Sequence, residues 1–102
     1  MKWFKEANEE TPLNRLINRV VFILEFINRD VSTINFDKVV EFLVKEKYLN
    51  KKYSYEELTE DKDIKKTYMK GLSKLRKDLK DGKFGDEDSI RKEFQKYFKI
   101  TI

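Results

Sequence analysis

From Pro12 onward the apolar positions recur at helical spacing: Leu13, Leu16, Ile17, Val20, Ile23, Leu24 and Ile27. On a helical wheel they fill one broad face, which predicts an amphipathic helix over about 12–29. Thr11-Pro12 opens it with an N-cap hydroxyl followed by proline at the first helical position, where the missing N–H costs nothing. Residues 2–9 are expected to form a short helix or arm anchored by Trp3 and Phe4. Arg29 to Asn35 reads as a connector with some strand character in Val31-Ser32-Thr33-Ile34. Asn35 or Thr33 then caps a second helix over about 36–48, whose Phe36, Val39, Val40, Leu43 and Val44 share one side.

Ser54-Tyr55-Glu56-Glu57 is a capping box, a hydroxyl with a glutamate three positions later, and predicts a short helix over about 55–60. A longer helix follows over about 63–80, with Ile64, Tyr68, Leu72, Leu75 and Leu79 as its stripe. Gly82-Lys83-Phe84-Gly85 stops it. Asp86-Glu87-Asp88 places carboxylates where the dipole of a last helix, about 87–98, favours them. The tail Phe98 to Ile102 alternates like a small strand. The pattern therefore predicts an all-α chain, a compact bundle of about five short helices with one minor strand pair and a single domain over 1–102.

With 102 residues a core can be built without staples, and the 14% aromatic content speaks against disorder. The chain has no Cys and no His. Disulfides, thiol chemistry, imidazole bases and every zinc site that needs Cys or His are thereby excluded. Three Gly and one Pro leave no phosphate-cradling glycine loop. No cofactor, no metal and no enzymatic activity are expected. The charged start, Met1 to Glu6, has no apolar core of a signal peptide. The longest apolar run, Val20 to Leu24, falls far short of the ~20 residues that span a bilayer. A cytoplasmic protein is expected.

The net charge of +4 is unevenly spread. Residues 1–61 hold 10 Lys/Arg against 12 Asp/Glu, and residues 62–83 hold 9 against 3. On the wheel Lys62, Lys66, Lys70, Lys74, Lys77 and Lys80 share the face opposite the apolar stripe, with Asp63 and Asp81 only at its ends. Such a row suits phosphates or an acidic protein face, and equally describes a solvated helix surface. Residues 56–72 also fit a helix-turn-helix in part: Leu58, Ile64, Met69 and Leu72 at core positions, Thr59 small, and Lys65, Lys66, Thr67 and Lys70 turned to a major groove. Lys62 and Asp63 depart from that pattern, and Glu60, Asp61 and Asp63 would crowd the DNA phosphates.

A second candidate lies on the first helix. Phe22 and Phe26 are one turn apart on the side away from the main stripe, with Arg15, Arg19 and Arg29 near them. Aromatics rimmed by arginine are typical of interfaces, and a second part of the core is the competing reading. Exposed, the pair would suit a partner groove or a homodimer. Tyr48, Tyr53 and Tyr55 among Lys45, Lys47, Lys51 and Lys52 either stack bases or lie over core edges. The acids at 56–63 lack the third ligand, glycine and closing glutamate of a calcium loop. Small inhibitors encoded by phages or mobile elements have this size and charge range. The expected function is a small non-enzymatic regulatory or inhibitory module that binds another protein. The alternative is a nucleic-acid-binding regulator that uses helix 63–80.

Overall fold

The computed structural model describes residues 11–25 and 34–102. The arm at 2–9, the strand character of 31–33, the Thr33 cap, Phe26, Ile27 and Arg29 lie outside the described residues. Five helices are present among those described: α1 Pro12–Glu25, α2 Phe36–Lys45, α3 Tyr55–Glu60, α4 Lys62–Lys80 and α5 Glu87–Gln95. The fold is all-α. No helix among the described residues is long and apolar enough to cross a membrane.

Four of the five helix starts carry a side-chain cap. The Thr11 hydroxyl accepts the Asn14 amide at 3.1 Å. In the capping box before α3, the Ser54 hydroxyl accepts from the Glu57 amide and the Glu57 carboxylate accepts from the Ser54 amide. Asp61 caps α4 through the amides of Asp63 and Ile64, and Asp86 caps α5 through that of Ser89. These bonds satisfy amide groups that a helix N-terminus leaves without intrahelical partners. Asn35 is the N-cap of α2 but makes no side-chain cap bond.

Two helices end in the same device. After α4 the Lys83 amide donates to the Asp78 carbonyl and the Gly82 amide to the Leu79 carbonyl, with Gly82 at φ +90°. After α2 the Tyr48 amide donates to Leu43 and the Lys47 amide to Val44, with Lys47 at φ +67°. Both are Schellman caps, which favour glycine in the left-handed position. Lysine there costs on the order of 1–2 kcal/mol. This cap stops α2 at Lys45, three residues before the predicted end. α5 likewise stops before its predicted end at 98, where Phe98 leaves the helix to pair with Ile34 in one antiparallel bridge. That bridge, with the Asn35 amide on the Tyr97 carbonyl at 2.8 Å, is what the described residues show of the expected strand pair.

A single cluster of buried apolar side chains links all five helices. α4 lies against α1 and α3, with Tyr68, Leu72, Leu75 and Leu79 buried as predicted and Ile64 half-buried. The Tyr68 hydroxyl, in the core, donates to the Leu24 carbonyl at 2.6 Å. At the other end Phe42 stacks among Phe84, Phe94, Tyr97 and Tyr48, with ring centroids 4.9–6.4 Å apart. Such pairs contribute roughly 0.5–1.5 kcal/mol each beyond their burial.

Gly71 marks the closest approach of backbone to helix. A Cβ there would stand 2.5 Å from the Tyr48 carbonyl oxygen. Alanine would gain about 1 kcal/mol in helix propensity. Overpacking against a backbone oxygen costs roughly 1–3 kcal/mol. Gly71→Ala is therefore expected to lower the urea midpoint of unfolding; a raised midpoint would contradict this packing.

Candidate binding surface

α4 presents its charge as the wheel required. Lys62, Lys66, Lys70, Lys74, Lys77 and Lys80 are all exposed, and none forms an ion pair among the described residues. The lysines that do pair lie elsewhere: Lys52 with Glu41, Lys83 with Glu46 and Asp78, and Lys96 with Glu93.

The lysine face is not flat. Lys62, Lys65, Lys66, Met69, Lys70 and Ser73 line an open groove of about 490 Å³. Met69, placed at a core position by the helix-turn-helix reading, is 37% exposed and belongs to this outer face. The correction has a plain cause. Tyr68 and Leu72 occupy the inward positions around it, and the next turn of the stripe is filled by Leu75. The joint between α3 and α4 is Asp61 alone, against the three or four residues of a helix-turn-helix. Lysine stems are apolar below their ammonium groups, so the groove is greasy at its base and cationic at its rim.

α1 adjoins this face. The Asn18 side-chain oxygen Oδ1 accepts from Arg76, and the Leu24 backbone carbonyl accepts from Tyr68. Ascending α1 therefore means descending α4, and the helices are antiparallel. That register brings Phe22 to the level of residues 69–73 of α4. Phe22 is 57% exposed, which answers the alternative of a second core for this residue. Arg15 and Arg19, with Arg91 and Glu87 of α5, line a second groove of about 450 Å³. Of the four predicted partner-binding residues, Arg15 and Arg19 line this groove, Phe22 is exposed on the outward side of α1, and Phe26 lies outside the described residues.

The tyrosine-lysine cluster turns out largely structural. Tyr48 is buried, and its hydroxyl donates to the Asp78 carboxylate at 2.6 Å. Burial first, then this bond and the charges of Asp78 and Glu46, push the Tyr48 phenol well above its ordinary range. Tyr53 donates to Asn50 at 2.8 Å, and Tyr55 meets the Phe36 ring edge-on. Lys83 sits 5.2 Å from the Tyr48 ring centre and 5.5 Å from that of Phe84. Sequence reasoning missed the Tyr48–Asp78–Lys83 clamp, because Tyr48 lies 30 and 35 residues from its two partners. It also missed Phe84, hidden between two glycines that read only as a helix stop.

The Tyr48 bond, then the charges of Lys83 and Lys74, hold the Asp78 carboxyl below its ordinary value of 3.8. A carboxyl with a lowered folded pKa stabilises the fold above the unfolded value, and that contribution is lost as pH falls through the folded one. Wild-type protein is therefore expected to lose stability below about pH 4 more steeply than Asp78→Asn. Parallel melting-temperature curves between pH 6 and pH 2 would contradict the clamp.

No family model matches this chain, and neither a curated protein nor a solved structure matches it.

Proposed function

We propose that this chain is a non-enzymatic regulatory or inhibitory module that works by binding an acidic partner protein through the outward face of α1 and α4. The observation that supports the reading most is Met69. It lies along a shallow open groove of α4 among lysines that form no ion pair among the described residues. A surface made only for phosphate contacts needs cations and has no use for an exposed thioether. A protein interface needs both, an apolar anchor site at the centre and charges at the rim. Phe22 adds an exposed aromatic side chain on the outward side of α1. The rim charges would steer an acidic surface into place, and the apolar centre would hold it.

The nucleic-acid reading rests on the same lysines, as a row of phosphate contacts without a helix-turn-helix. The two readings diverge in what the apolar residues do. Phosphate binding depends on charge alone and weakens with a steep salt slope.

The test is affinity capture from native lysate beside fluorescence anisotropy with duplex and single-stranded DNA over a salt series. Met69→Ser and Phe22→Ser should each weaken retention of an acidic partner about tenfold, the size expected for a truncated interface anchor. Their melting temperatures should stay near wild type, because both side chains are exposed. Tight DNA binding, abolished by Lys66→Ala, Lys70→Ala and Lys77→Ala and indifferent to Met69→Ser, would overturn the proposal in favour of nucleic acid.

A further inference from the structure

On the other flank of α4, away from Met69 and Phe22, the helix faces the end of α2 and the loop after it. Lys47, Tyr48, Asn50, Lys70, Gly71 and Lys74 line an open cleft of about 600 Å³. Four features of this cleft converge. The missing side chain of Gly71 lets the Tyr48 backbone close onto α4 and form the floor. Lys70 and Lys74 stand one turn apart on one wall, and Lys47 stands on the other. The Asn50 side-chain oxygen is engaged by the Tyr53 hydroxyl, which leaves the amide N–H groups to donate elsewhere. The nearest carboxylate along this side of α4, Asp78, bonds Tyr48 and Lys83 and feels the charge of Lys74 without forming an ion pair with it. Thr67 donates to the Asp63 carbonyl within its own helix and contributes only shape.

Lys47 is the telling residue. It holds φ +67° at a helix cap where Gly82 serves the identical role 35 positions later. Strain at a position where glycine would relieve it is a mark of function when the side chain has a use. Here the side chain brings the third cation to the cleft.

We propose that this cleft binds a small phosphate-bearing ligand, with Lys47, Lys70 and Lys74 on its oxygens and the Asn50 amide as an additional donor. The volume is that of a site for a small molecule. Nucleic acid would use the same chemistry but needs an extended track, and this site is a local concavity with cations on two facing walls. The inference stands apart from the protein-binding reading, which uses the opposite flank and shares only Lys70.

Inorganic pyrophosphate titrated into isotope-labelled protein, followed by amide NMR shifts at low salt, tests it. Saturable shifts are expected at residues 47–50 and 67–74. Lys70→Gln with Lys74→Gln should weaken binding roughly tenfold, as loss of two charge-assisted contacts implies. Lys62→Gln with Lys80→Gln removes the same charge from the same helix outside the cleft and should change binding less than about twofold. Lys47→Gly should weaken pyrophosphate binding and raise the melting temperature together, because glycine relieves the strained cap while removing a ligand. Equal losses from the two lysine pairs, or shifts spread along the whole of α4, would reduce the cleft to general electrostatic attraction and overturn the proposal. So would a short single strand of DNA binding more tightly than pyrophosphate through the same residues. Wild-type affinity in Lys47→Gly would overturn the role of the strained lysine.

Discussion

The surfaces of this protein depend on one constraint: α4 must exist as a helix although the spacing of its lysines opposes it. Lys62, Lys66, Lys70 and Lys74 follow one another at four-residue spacing, so three successive pairs of like charges face each other. Each such pair disfavours the helix by about 0.2–0.5 kcal/mol, or roughly 1 kcal/mol together. Burying Tyr68, Leu72, Leu75 and Leu79 contributes about 1.5–3 kcal/mol for each side chain. The buried stripe wins by a wide margin. The lysine row is therefore held in place by the core rather than by its own interactions. The caps work in the same direction, with Asp61 and Asp63 at the N-terminus and Lys77 and Lys80 in the last turn.

A helix held from below can keep its outer face unpaired. Four to five turns of lysine without internal counter-ions raise the local potential, and an acidic partner would relieve it on binding. The helix also divides the molecule's outside into two unlike flanks. Toward α1 the lysines border exposed apolar side chains. Toward α2 they border a cleft floored by backbone. The difference comes from which neighbour each flank meets: a parallel-sided helix on one side, and on the other a loop drawn close by Gly71.

The helices and their stripes were legible because amphipathic spacing and caps are local signals. Thr11, Ser54, Asp86, Gly82 and Gly85 each act within a few residues of their own position, so sequence alone places them. The six lysines were legible for the same reason, since one helical wheel fixes their common face. Met69 was misplaced because the helix-turn-helix template asked for a core residue there, while the wheel puts it near the lysines. The end of α2 was overextended because its cap carries Lys47 where the rule looks for glycine. The Tyr48–Asp78 bond and the Phe42–Phe84 contact join distant segments, and no local pattern reports them. Whether Phe22 faced core or solvent was open on the wheel, because that depends on which neighbours α1 acquires.

The two Schellman caps show how far a local rule can be carried. Gly82 obeys it, and a side chain there would meet open space within 4 Å, so the glycine serves conformation alone. Lys47 breaks it in the same backbone geometry. The core gains nothing from the lysine, since the side chain is exposed and makes no ion pair among the described residues. Tyr48, the next residue, cannot be the reason, because its hydroxyl reaches Asp78 by virtue of the cap and not of what precedes it. The strain thus has no structural beneficiary near it, while the cleft beside it gains a cation opposite Lys70 and Lys74. Of the residues in that cleft, Lys47 is therefore the one whose identity the fold explains least.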